Sequence, residues 1–530
     1  MNSSSLPQPS RLCNFLAGKT GVFAACACIA ALDLVLYRKS LSLYFIQDDF
    51  YYLWFTSDQS IRGFIKLFAQ QHIFYRPISN YLYFYLMQTA FGTNPFPYHL
   101  LNLLIHVFNS LATGYLVYLM TRNRVLAITS AVIFTSRIGH VIAIYWICVS
   151  TQSMPLMFFL LSLILYIRYL ENGRPSVLVW SYLSFVFCAF SNINGPTLVA
   201  LVTLYDILSR DNRSFLSILK SESGFYVIVA TFLFLQFVVF GYHPPKDYRI
   251  NVGLLALRNF GVLNLFSCNT LYLANYLGGA PPVMLAAGVL AGIATISGAL
   301  ICSLRNVVEK PNVRPFPPKP ESGLAHSESQ NMDSRLRGND NPATMHTFYP
   351  DNSASSRSAA AGKPAPYLFF GLWYIWGFAP YLPLSEHVWP QYITTAAVGL
   401  SFLSAALLTR LLKPKMLAAA LCLIVAVSFL SVRLFEREEY DTRGIIYKSA
   451  LARNVVSDFT RSLSQQPDVD KVIVLDGTVD LWWILHYGKY AEVFTGKVKP
   501  IFYLNSSETI RPDPATLVLR FENMRLHKVP

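Results

Sequence analysis

The chain has 530 residues, of which 53% are apolar and only 14% charged, with a mean hydropathy of +0.39 and a formal net charge of +14. A soluble domain carries about 25% charged residues because its water-facing surfaces need them. A string of soluble domains is therefore excluded, together with a wholly disordered chain, a coiled coil and a disulfide scaffold. The eight cysteines are scattered and form no C-x-x-C pair, which supports neither a zinc site nor a disulfide framework.

A bilayer core of about 30 Å asks for roughly 20 apolar residues per helix, and in chain order this ruler predicts about eleven spans. They fall over 18–38, 98–120, 125–143, 152–170, 175–191, 196–209, 222–241, 282–304, 366–383, 391–411 and 416–435. The first reads as an anchor and not a cleaved signal, because the apolar run continues unbroken to Leu36. Residues 39–97 form a first outer loop, whose short apolar segment 78–92 is expected to lie on or dip into the membrane.

Charge sets the direction. With the N-terminus inside, the inner segments collect Arg11, Lys19, Arg122, Arg124, Arg168 and Arg174, among other basic residues, and the short outer turns 192–195 and 384–390 hold none. That is the cytoplasmic bias of Lys and Arg in a multi-pass inner-membrane (cytoplasmic-membrane) protein. The basic excess then reports orientation, and nucleic acid is not an expected partner.

Residues 305–365, rich in Pro, Ser, Asn and Gly and without apolar periodicity, are expected to form a disordered inner loop. Within it, 332–340 resembles a translated dispersed repeat of the kind found in bacterial genomes. The tail, 437–530, predicts a helix over 440–463, a strand over 472–475, a helix over 479–487, and strands near 501–504 and 516–521. The expected fold class is mainly α: a polytopic membrane helical bundle over 1–435, followed by a small α/β extracytoplasmic domain over 437–530.

Two adjacent carboxylates, Asp48 and Asp49, stand just outside the first span in Phe45-Ile46-Gln47-Asp48-Asp49-Phe50. Carboxylates at a membrane face are costly to desolvate. Either they start a solvated loop, or one serves as a general base or metal ligand whose pKa a partly apolar cleft raises. Downstream come Tyr75-Arg76-Pro77 and Asn94-Pro95, then a stripe of His99, Asn102, His106 and Asn109 at helical spacing. Hydrogen bonding between helices accounts for His106 and Asn109. Arg76 and His99 lie nearer the outer surface, where a phosphate can bind. Asp33, inside the first span, is read as reaching water or Arg38.

The string Asp48-Asp49, Tyr75-Arg76-Pro77 and Asn94-Pro95-Phe96-Pro97-Tyr98-His99-Leu100-Leu101-Asn102 resembles the GT-C superfamily of integral-membrane glycosyltransferases. Within it, the likeness is to the membrane portion of TPR-bearing O-mannosyltransferases and related protein O-mannosyltransferase-like proteins. Weaker matches are Gly139-His140 and Glu386-His387-Val388-Trp389-Pro390-Gln391-Tyr392. The chain departs from such relatives at Val141-Ile142-Ala143, where they often carry an acid, and at Ser191–Asn194, where they often carry Lys-Glu; no TPR array follows.

The resemblance implies transfer of a sugar from a polyprenyl-phosphate-linked donor to a glycolipid, polysaccharide or protein outside the membrane. Asp48 or Asp49 would be the base, Arg76, His99, His140 and His387 would meet the departing phosphate, and Gln391 and Tyr392 would join the substrate-binding set. It leaves assistance by a divalent metal open and names no metal ligands. Two other readings stand beside it: a transporter or flippase of lipid-linked precursors, and a noncatalytic scaffold or sensor. Convergence of the acidic, basic and histidine residues on one outward cavity is the geometry that a transferase requires.

Overall fold

The structure, a computed structural model, describes residues 19–69, 74–209, 214–241, 248, 253–267, 286–295, 297–298, 301, 365–384, 388–485, 492–493, 500–505 and 515–529. The predicted inner loop 305–365, apart from its last residue, and much of the predicted span 282–304 lie outside them.

The first helix, α1 (Lys19–Tyr37), passes through a 3-10 turn and an extended stretch into the short α2 (Asp48–Phe55). A π-helical turn over Pro77–Leu82 leads into the helix Tyr83–Phe91, where the sequence predicts a segment too short to span. The long α3 (Pro95–Thr121) starts at Asn94, whose side chain accepts the Phe96 N–H, and Pro95 follows at the first helical position. This is the Asx-cap and N1-proline pairing that opens helices. Asn123 caps α4 (Arg124–Thr135) in the same way by accepting the Leu126 N–H. After a break come α5 (Val141–Tyr145), α6 (Ser150–Asn172) and α7 (Pro175–Ala189). The C-terminal half adds α8 (Pro366–Phe378), α9 (Ala396–Leu411) and the 28-residue α10 (Pro414–Asp441).

The chain is a multi-pass membrane protein built as a helical bundle. Among the described residues, four helices are long and apolar enough to cross a bilayer: Thr20–Ser42, Pro95–Thr121, Ile147–Asn172 and Pro414–Asp441. A further pair, Arg124–Thr135 and Ile138–Tyr145, is long and apolar enough only when taken together and is bent by 53°, as in a broken span or a re-entrant loop. Most other predicted spans are apolar helices of 10–17 residues, including Pro175–Ala189, Gly195–Ser209 and Ala396–Leu411. Over 125–143 the apolar ruler joined what the backbone interrupts, because a window of hydropathy does not register the Ser136-Arg137 break.

The polar stripe on α3 ties helices together. Asn102 Nδ2 donates to the Ile147 carbonyl at 3.4 Å, and Asn109 Nδ2 donates to the Ser153 carbonyl at 3.0 Å. Asp33 reaches neither water nor Arg38: it is fully buried, and its Oδ1 stands 3.2 Å from His106 Nε2. α8 and α9 approach closely at Gly399, where a Cβ would overlap the Phe370 carbonyl and the Tyr374 backbone.

The tail contains α11 (Ile445–Gln465), β1 (Lys471–Leu475), α12 (Val479–Leu485), β2 (Ile501–Leu504), β3 (Thr516–Glu522) and β4 (Arg525–Lys528). The sheet order is β2-β1-β3-β4, with β1 parallel to both neighbours and β3–β4 an antiparallel hairpin. Asn523 and Met524, both at positive φ, make its two-residue turn, the geometry that matches strand twist. One apolar core joins this sheet to the first outer loop, with Phe45, Phe50 and Phe84 in the same buried cluster as Val455, Phe459 and Leu517. Two hydrogen bonds reinforce the junction: the Tyr44 N–H donates to Ser449 Oγ at 2.7 Å, and Trp54 Nε1 donates to Glu492 Oε2 at 2.8 Å.

Candidate functional site

The chain leaves α1 and turns sharply at Gln47, whose φ of 43° and ψ of −112° lie in a region that side chains other than glycine rarely occupy. Such strain costs of order 1–3 kcal/mol and persists only where surrounding contacts hold it. It delivers Asp48 and Asp49 to the first turn of α2, where the unpaired N–H groups of a helix favour carboxylates.

The two acids have different surroundings. Asp49 is fully buried; its Oδ2 accepts the Ile46 N–H at 2.9 Å and its Oδ1 accepts the Cys148 N–H at 2.8 Å. Burial pushes its carboxyl well up, the two N–H donors pull it back, and the Asp48 charge adds to the rise. Both oxygens are committed to holding α2 against the turn that leads into α6. Asp48 is only partly buried and lies within electrostatic reach of Arg76. Burial raises its carboxyl and the Arg76 guanidinium lowers it.

Arg76 stands immediately before the π-helical turn, in an extended segment fixed on both sides. The Tyr75 N–H donates to Gln236 Oε1 at 3.0 Å, the Tyr75 ring stacks on Phe240 at 4.4 Å, and the Ile78 N–H donates to the Phe190 carbonyl at 3.2 Å. The guanidinium lies over the Phe74 ring, 4.4 Å from its centroid, and Nε is buried with no hydrogen-bond partner among the described residues. Its charge acts on Asp48, Tyr52, Tyr248, Tyr381 and Tyr392. The Tyr381 and Tyr392 rings stack at 4.1 Å and 10°, Tyr381 Oη donates to Gln152 Oε1 at 2.9 Å, and Tyr248 packs edge-on against Phe74. Asp48 and these tyrosines thus lie within the electrostatic reach of one guanidinium. Such a site can take a proton from a hydroxyl and hold a phosphate oxygen.

Of the residues singled out in the sequence, Asp48, Arg76 and Tyr392 come together, with Asp49 directly behind. Gln391 is buried in the same 3-10 turn as Tyr392, Pro390–Ile393, and its Oε1 has no partner among the described residues. His99 is fully buried in the first turns of α3 against the Ile144 backbone. His140 joins a different group: its ring centroid lies 4.6 Å from His106 and 4.5 Å from Phe134, beside the Asp33–His106 pair. His387 lies outside the described residues. Tyr52, Tyr248 and Tyr381 belong to the site and carry no motif; their only advance signal is the abundance of tyrosine, 31 residues. Among the described residues, no three His, Cys, Asp or Glu side chains gather so as to hold a metal ion.

Fold and site define a polytopic helical membrane protein with an aspartate doublet beyond the end of its first span, one acid within electrostatic reach of an arginine. No family model and no curated protein matches the chain. Among solved structures it is similar to ArnT from Cupriavidus metallidurans bound to undecaprenyl phosphate, with 11% identity over 91% of this chain and 90% of that one and a TM-score of 0.45. At that score the likeness carries no argument about activity, and the site stands on its own residues.

Proposed function

We propose that the protein is a membrane glycosyltransferase of the GT-C kind, moving a sugar from a polyprenyl-phosphate-linked donor to a hydroxyl on an extracytoplasmic glycolipid, polysaccharide or protein. The observation that carries this reading is that Asp48 and a group of tyrosines lie within electrostatic reach of Arg76, which is seated over Phe74 beyond the first span. Asp48 takes the acceptor proton as the hydroxyl oxygen bonds to the anomeric carbon. The bond from that carbon to the phosphate oxygen breaks, and polyprenyl phosphate leaves with the electron pair. A single displacement of this kind inverts the anomeric centre. Arg76, with a free Nε and a guanidinium held over Phe74, offers donors to the departing phosphate. Asp49 acts through Asp48 by holding α2, and the stacked Tyr381 and Tyr392 supply a sugar-sized aromatic face and exclude water.

A general base is worth about 10²–10⁴ in rate. The test is deletion of the gene, followed by mass analysis of glycolipids, polysaccharides, glycoproteins and polyprenyl-phosphate sugars. The expected result is loss of one sugar from one acceptor class and accumulation of its lipid-linked form. An unchanged glycan and lipid-linked profile would refute the proposal.

A further inference from the structure

Between α2 and α3 the chain forms a short helix, Ile61–Ala69. The spans on either side, Thr20–Ser42 and Pro95–Thr121, leave it at the same end of the bundle as Asp48. Ser60 caps it by accepting the Gly63 N–H at 3.0 Å. Its inner side is fixed. Gly63 lies so close to Asp58 that a Cβ would overlap the Asp58 carbonyl, Leu67 is buried, and the Phe64 ring packs 5.1 Å from Tyr85 of the helix Tyr83–Phe91. Tyr85 Oη donates to the Gln59 carbonyl at 3.2 Å, and Tyr75 Oη donates to the Phe68 carbonyl at 3.0 Å, so the helix also holds the residue before Arg76.

The outer side carries two stripes. Ile61 and Ile65, one turn apart and on one face, are 82% and 62% exposed. Arg62 and Lys66, also exposed and one turn apart, lie about 100° farther round the helix. Asp58 accepts the Ser60 N–H at 3.1 Å and lies within reach of both charges, so the basic stripe brings two cations for one carboxylate. Exposed apolar side chains follow on each successive element, Leu86 and Phe91 on the neighbouring helix, then Phe96 and Leu104 on the spanning α3. A bare isoleucine stripe edged by basic residues, on a helix too short to span and set between two spans, is the pattern of a helix lying in the headgroup region. We propose that the helix Ile61–Ala69 docks on the bilayer leaflet at the Asp48 end, with Ile61 and Ile65 in the acyl boundary and Arg62 and Lys66 at the phosphates of anionic glycerophospholipids. This surface is separate from Asp48 and Arg76 and does not rest on the transferase reading.

The test places a photo-crosslinking benzoylphenylalanine at position 61 or 65 of the full chain in nanodiscs of equal parts phosphatidylglycerol and phosphatidylcholine, and identifies the adducts by mass spectrometry. Both positions are expected to give lipid adducts in yields near that from position 104, exposed on the spanning α3. Phosphatidylglycerol adducts should outnumber phosphatidylcholine adducts about fivefold, the enrichment that one net cationic charge supplies at an anionic surface. R62Q combined with K66Q should erase that preference and leave the lipid adducts in place. A measurement on unaltered protein guards against misfolded variants: amide exchange over 61–69 should be slower in phosphatidylglycerol than in phosphatidylcholine nanodiscs, with exchange over α11 unchanged. Absence of lipid adducts at 61 and 65, equal labelling by the two lipids, preference surviving in the double variant, or equal exchange over 61–69 would each overturn the proposal. So would adducts to a second copy of the chain or to another protein, which would make the stripe a protein interface.

Discussion

The Cys148 amide donates to Asp49 Oδ1 at 2.8 Å, so the second acid of the Asp48-Asp49 doublet is a fastener between the start of α2 and the turn before α6. Its other oxygen accepts the Ile46 N–H at 2.9 Å. Asp49→Ala strips two buried N–H donors of their acceptor, each worth about 1–3 kcal/mol when left unpaired. The melting temperature in detergent should drop clearly for that variant and stay close to wild type for Asp48→Asn. Equal thermal losses for the two would contradict the division of labour.

Arg76 predicts a pH effect of definite sign. Asp48 works as a base only when ionised, so the rate climbs with pH through its pKa. Burial raises that pKa and Arg76 lowers it. Arg76→Gln removes the lowering influence, and the acid limb of kcat/KM should move to higher pH, while Arg76→Lys should restore much of its position. A limb that stays in place or moves to lower pH would show that Arg76 does not face Asp48 in the working enzyme.

The buried Asp33–His106 pair, 3.2 Å apart, predicts a non-additive mutant cycle. Removing one partner of a buried pair costs about 3–5 kcal/mol, because the other group is left uncompensated, whereas replacing both by apolar residues is often near neutral. Asp33→Leu and His106→Leu should each lower thermal stability, and the double variant should recover most of the loss. Additive losses would mean that the two side chains are not coupled.

The shared core of the tail and the first outer loop predicts the effect of truncation. Phe45 and Phe50 pack in one cluster with Val455 and Phe459, so deleting 437–530 exposes the apolar face on which α2 rests. The truncated chain should lose both stability and transfer. The milder Trp54→Phe, which removes the bond to Glu492, should cost about 0.5–1.5 kcal/mol. A truncated chain with full activity would contradict the shared core.

The sequence made some of this legible and hid the rest for identifiable reasons. The strands at 471–475, 501–504 and 516–522 follow the predicted pattern closely, because apolar runs bounded by turn residues are local signals. The start of α3 was readable for the same reason, through Asn94-Pro95. Predicted tail helix 440–463 starts instead at Ile445, because α10 runs on to Asp441. The Asp48-Asp49 doublet stood out by its place beside a span, but its division into one fastened and one cation-facing acid depends on the amide of Cys148, 99 residues away. Tyr248 and Tyr381 come within electrostatic reach of Arg76 from distant segments, and no spacing announces that meeting, whereas Tyr392 was named through the resemblance. The resemblance made His140 a contact of the departing phosphate; its ring lies instead against His106 and Phe134.

Asp48 is the proposed base of the sugar transfer. Its most direct test is complementation of a deletion strain with Asp48→Asn, followed by mass analysis of the acceptor glycan and of the polyprenyl-phosphate sugar pool at matched protein level. The expected result is full-length, membrane-inserted protein, an acceptor lacking the sugar and an accumulated lipid-linked donor. Wild-type glycan in cells carrying only Asp48→Asn would contradict it.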